Sequence, residues 1–187
     1  MANTQRKPHF VSPEEYLALE DAAQERSEYV DGEIFAMTGT TILHNQIAGN
    51  LYLALRNHLH DRPCRTFFAD IKVDAARGNA FYYPDLVVRC QPEPLSGDAK
   101  VISDPTLIIE VLSPSTEATD RREKLAAYRK IATLQEYVLV AQDEPSVEIY
   151  RRQGDVGWSY LAFGEGEAVT LSSIDLTLAM AAIYGQA

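Results

Sequence analysis

The sequence predicts an α/β (α+β) domain built on a mixed central sheet flanked by helices. Two observations carry that prediction. The middle of the chain reads helix, three strands, helix, strand, and its strands are short apolar runs bounded by Pro, Gly, Asp or Ser. A length of 187 residues also suits one domain with a sizeable core. No repeat, low-complexity segment or linker divides the chain. Residues 1–187 therefore read as one unit, with a core over 42–142, a helix and hairpin over 12–37, and a trailing meander and helix over 147–185.

Ser12-Pro13-Glu14-Glu15 opens the first helix, because Ser12 can cap, Pro13 suits the first helical position and Glu15 completes a capping box. Asp31-Gly32 supplies the positive φ angles of a type I′ turn between Tyr29-Val30 and Glu33-Ile34-Phe35. Ile47, Leu51, Leu55 and Leu59 recur at helical spacing, so a helix is expected over 42–59. Strands follow over 67–73, 82–88 and 107–112, then a helix over 119–132 and a strand over 136–140. The loop over 91–104 holds Pro92, Pro94 and Gly97 and reads as exposed. Runs at 147–151, 158–163 and 168–171 read as an antiparallel meander, and a short helix over 178–184 ends the chain.

Two strands carry a carboxylate each, Asp85 and Glu110. An acidic group in such a strand loses hydration on folding and stays charged only if paired or bound to a cation. Side by side, the two would present oxygen ligands to one hard cation such as Mg²⁺. Equally, each could cap a strand end or pair with an arginine.

The net charge of −10 argues against non-specific binding of a polyanion, although a local basic face can act within an acidic average. Arg121, Arg122, Lys124, Arg129 and Lys130 form such a stretch, which would otherwise be a solvated helix face. The first eight residues have no apolar core of a signal peptide, and no run is long enough to span a bilayer. A cytoplasmic protein with no membrane partner is the expectation. Cys64 and Cys90 lie far apart without ligand spacing and read as thiols in a reducing compartment.

The αβββαβ order, Pro84-Asp85 and Glu110 resemble the PD-(D/E)xK nuclease superfamily with its restriction-endonuclease-like fold. More narrowly, the chain resembles the Uma-two family of endonucleases. The matching segments are Arg26–Glu33, His44, Tyr83-Pro84-Asp85, Glu110–Thr116, Asp120, Lys124 and Glu136-Tyr137, and they cover nearly the whole chain. The resemblance implies a Mg²⁺- or Mn²⁺-dependent endonuclease acting on DNA, with Asp85, Glu110 and the Val111 carbonyl as metal ligands. The superfamily's lysine, two residues after the glutamate, is replaced by Leu112. Lys124 on the next helix could return an ammonium to that place, or could simply pair on the surface with Asp120 at i and i+4. Glu28, His44 and Asp70 are accessory candidates, and Arg121 and Arg122 are candidate DNA contacts. A homodimer would suit two-fold cleavage of a duplex. The alternative is a nuclease fold without turnover that binds DNA or a protein, which Leu112 and the acidic charge favour.

Overall fold

In the computed structural model, which describes residues 10–37 and 39–185, Ser12 caps helix α1 (Pro13–Ala22) by accepting a hydrogen bond from the Glu15 N–H. Strands β1 (Ser27–Val30) and β2 (Glu33–Ala36) form the expected hairpin, with positive φ at both Asp31 and Gly32. Helix α2 spans Ile42–His58 and buries Ile47, Leu51 and Leu55.

The run over 67–73 is not one strand. Ala69 and Asp70 both take positive φ, which breaks it into β3 (Arg65–Phe68) and β4 (Lys72–Asp74). The run over 82–88 divides in the same way. Pro84 lacks an N–H and has a fixed φ, so β5 (Ala80–Tyr82) ends before it and β6 (Leu86–Arg89) begins after Asp85. The loop over 91–104 contributes the short β7 (Val101–Ile102), followed by β8 (Leu107–Val111) and, later, β9 (Glu136–Val140).

Each break moves the chain from one sheet to another. The central sheet has the order β11-β10-β9-β8-β6-β3, where β10 is Val147–Arg152 and β11 is Trp158–Phe163. It is mixed: β8 and β9 are parallel and the other pairs antiparallel. A second sheet, β2-β1-β5-β4-β7, stands beside it. The expected three-strand meander also splits, because β12 (Ala168–Leu171) leaves β11 and pairs with β13 (Leu176–Ala179). Leu178 therefore lies in a strand, and the last helix, α5, spans Met180–Tyr184.

Side-chain alternation gives the central sheet two apolar faces. On one, Leu86, Val88, Leu107 and Ile109 pack against Ile47, Leu51 and Leu55 of α2. On the other, Val87, Ile108 and Leu139 pack with Tyr82, Tyr128 and Ile131. Glu110 has the period of Ile108 and Leu112, so it points into this second face. Among the described residues no helix is long and apolar enough to cross a membrane.

Cys64 and Cys90 are not free thiols. They flank β3 and β6, whose register pairs Arg65 with Arg89, so the two cysteines stand opposite one another and form a disulfide. Their separation of 26 residues hid that cross-strand contact.

Glu20 ties α1 to the site-bearing segment. Its carboxylate accepts hydrogen bonds from Ser27 N (3.2 Å), Ser27 Oγ (2.6 Å) and Tyr83 Oη (2.7 Å). Burial raises its pKa, but the Ser27 and Tyr83 hydrogen bonds outweigh burial and hold it below the ordinary value. A depressed carboxyl contributes stability above its unfolded pKa and loses it as pH falls through the folded one. Glu20→Ala is expected to cost about 2 kcal/mol at pH 7, the scale of losing a charged hydrogen-bond acceptor. In urea titrations the gap to wild type should narrow as the wild-type carboxyl protonates; a gap unchanged by pH would refute this assignment.

Candidate active site

Asp85 sits at the crossover between the two sheets, next to the end of β8. Its Oδ2 accepts the Val111 N–H at 2.7 Å and lies 3.2 Å from His44 Nε2, near the start of α2. The Asp85 N–H in turn reaches Glu110 Oε2 at 3.4 Å. Burial works against a charged His44, but the hydrogen bond and charge of Asp85 prevail and raise its pKa.

The helix expected over 119–132 is interrupted in a way that shapes this site. It consists of α3 (Glu117–Thr119), a π-helical turn (Asp120–Lys124) and α4 (Leu125–Tyr128). Such turns are rare and concentrate at functional sites. This one turns Asp120 (1% exposed) and Lys124 (5%) into the core. Lys124 Nζ lies 3.1 Å from Glu28 Oε1, 3.2 Å from Glu110 Oε1 and 3.1 Å from Asp120 Oδ1. The pairing with Asp120 is present, but it is buried and shared with two further carboxylates. Tyr128 Oη also donates to Glu110 Oε1 at 3.2 Å, and the Tyr83 N–H donates to Glu28 Oε1 at 3.1 Å.

Burial pushes the Glu110 carboxyl well up; Lys124 opposes that rise, and Asp120, Asp85 and Glu28 add to it. Desolvation works against the Lys124 charge, but Glu110, Glu28 and Asp120 outweigh it and keep the ammonium firmly protonated. Leu112 is itself buried among apolar residues, and Lys124 approaches Glu110 from the neighbouring helix.

The structure thus brings together Asp85, Glu110, Lys124, Glu28 and His44. Asp70 does not join them: its positive-φ turn leaves it exposed, 3.6 Å from Arg26. Arg121 is held in two ion pairs, at 2.8 Å from Glu117 and 2.7 Å from Glu148. Arg122 is exposed and has no ion partner among the described residues. Sequence reasoning placed Asp120 only as a surface partner of Lys124 and missed Tyr128. Their spacing was the signal, since Asp120, Lys124 and Tyr128 recur every fourth residue on one side of a helix.

Charge tests whether these residues suit a divalent cation. Four carboxylates, Glu28, Asp85, Glu110 and Asp120, surround one ammonium and one imidazole. Asp120 Oδ1, although at ion-pair distance from Lys124, is buried without a hydrogen bond. An acidic excess of hard oxygen donors is the chemistry that Mg²⁺ selects; the residue types fit, although among the described residues no three such groups are gathered into a metal shell.

Residues 13–181 match the Uma2 family, described as "Putative restriction endonuclease". The chain belongs to this family. Two uncharacterized proteins of Synechocystis sp., slr1290 and sll1609, are each 36% identical to it. The first match covers 93% of this chain and 91% of that protein, the second 80% and 85%. A crystal structure from Anabaena variabilis, described as "a putative nuclease belonging to DUF820", shares the fold. Its TM-score is 0.77 at 23% identity, over 93% of this chain and 97% of that one.

Proposed function

We infer that this Uma2 protein is a metal-dependent nuclease that hydrolyses phosphodiester bonds in nucleic acid, with DNA as the proposed substrate. The observation that carries the reading is the approach of Lys124 to Glu110, beside Asp85, in a chain that has Leu112 two residues after the glutamate. Asp85, Glu110 and the Val111 carbonyl would hold Mg²⁺ or Mn²⁺. Such a cation supplies acidification of water and neutralisation of charge growing on the phosphoryl oxygens.

The chain's own groups do the positioning. Lys124 Nζ, fixed by three carboxylates, is a preorganised donor aimed at developing negative charge or at the attacking water. Tyr128 holds Glu110, and the Val111 N–H and His44 hold Asp85, so neither carboxylate rotates freely. Arg122, exposed on the same helical segment, is the candidate phosphate contact.

A second reading, a nuclease fold that binds without turnover, is favoured by one observation. Among the described residues no three Asp, Glu, His or Cys groups form a ready metal shell, and Lys124 already supplies a cation there. Incubating the purified protein with a mixed DNA and RNA pool separates the two. Cleavage that requires Mg²⁺ or Mn²⁺ and stops with chelator is expected; binding without cleavage under every metal condition would establish the module instead.

A further inference from the structure

The wall facing Lys124 is apolar and open. Strand β2 is the edge of the second sheet, and every one of its residues is exposed. Its register sets Phe35 directly opposite Glu28, so the two side chains share one face, about 5 Å apart at Cβ. Glu28 touches Lys124 at 3.1 Å. Phe35 thus stands one strand away from the proposed catalytic cluster, yet it is 47% exposed, with Met37 beyond it at 44%. Both line a pocket of about 300 Å³ that also takes in Glu28, Asp120 and Lys124. Its lining also includes the hydroxyl residues Ser115, Thr116 and Thr119.

We propose that this pocket receives an unpaired nucleobase of single-stranded nucleic acid, stacked on Phe35 with its edge toward the Ser115-Thr116 hydroxyls, so that the adjoining phosphate reaches Lys124. The proposal rests on the nuclease reading of the same site and names its substrate class.

Three features support it. The volume lies at the small end of ligand pockets; it accommodates one base and not a duplex, whose base faces are covered by their neighbours. Single strands expose those faces, and aromatic side chains bind them without regard to sequence. The charge argues the same way. A duplex binder gains affinity by neutralising many phosphates, whereas Lys124 is the one cation among the described residues lining this pocket, and it is enclosed by carboxylates. In a chain of net charge −10, stacking supplies affinity that Arg122, the one proposed phosphate contact beside the site, does not provide alone. The apolar exposure of Phe35 and Met37 beside an acidic cluster then has a use.

The test uses the whole protein and a DNA strand carrying 2-aminopurine, the matching RNA strand, and the same DNA as a blunt duplex. Binding is read in Ca²⁺, and cleavage in Mg²⁺ or Mn²⁺. Wild type should quench the fluorescent base on a single strand and cleave single strands in preference to the duplex. Phe35→Ala should weaken single-strand binding by roughly tenfold to a hundredfold, the scale of one base–aromatic stack, and Phe35→Trp should retain it. The DNA and RNA arms decide which strand is the natural one. Quenching without cleavage in any metal would sustain this inference and sink the nuclease reading. Equal cleavage of duplex and single strand, unchanged in Phe35→Ala, would do the reverse. Absence of quenching in wild type would also overturn the proposal.

Discussion

Replacing Lys124 by methionine is expected to lower turnover by roughly a hundredfold or more, the scale of removing one preorganised donor from a transition state. The same change should also destabilise the fold, because Lys124 is the shared partner of Glu28, Glu110 and Asp120 in the core. Breaking a buried ion pair from one side costs about 3–5 kcal/mol; an exposed i, i+4 pair would cost under about 1 kcal/mol. Stability and catalysis must therefore be read separately. The double variant Glu28→Gln with Lys124→Met removes a negative charge along with the positive one and should recover part of the denaturation midpoint. It should not recover turnover per folded molecule. Lys124→Arg should restore little, since a planar guanidinium cannot occupy the point where a compact ammonium meets three carboxylates. Full turnover in folded Lys124→Met would show that the lysine is only a counter-ion for the buried acids.

That double role explains why the site was only partly legible. Local chemistry was readable wherever one residue decides the geometry. Ser12 caps, Asp31-Gly32 turns, and the stripe Ile47, Leu51, Leu55 forms a helix as expected. The runs that form β8 and β9 were readable as strands, because strands buried on both faces are near-continuous apolar runs; their parallel pairing was not. The errors lie where the chain changes sheet. Nothing local in Phe67–Val73 shows that Ala69 and Asp70 adopt positive φ, and a run of apolar residues does not say which sheet each half joins. Asp85 stands at such a change, between β5 and β6, outside the strand assigned to it. That position puts its carboxylate against Val111 and His44 rather than within a ladder. The disulfide, the burial of Asp120 and the engagement of Arg121 by Glu148 are likewise long-range facts. They depend on register and on the π turn; the spacing of Asp120, Lys124 and Tyr128 places them on one side of a helix without showing that this side is buried.

Asp85→Asn is the sharpest test of the proposed metal. An asparagine side chain can still accept the Val111 N–H, so the crossover between the sheets should keep its shape; what disappears is the charge. Wild type at a cation concentration a hundredfold above Kd should gain about 2.7 kcal/mol, because the ion binds the folded state alone. For a chain of this length that raises Tm by roughly 5–10 °C. In Asp85→Asn the rise should fall close to zero, and cleavage should drop by roughly a hundredfold or more as electrostatic stabilisation of the transition state is lost. Glu110→Gln should behave alike toward metal, and it also removes a charge that burial disfavours. It is therefore the variant expected to keep the higher Tm without cation. Equal metal-induced stabilisation of wild type and both variants, measured by calorimetry, would place any cation elsewhere and leave Asp85 as a structural acceptor for Val111 and His44.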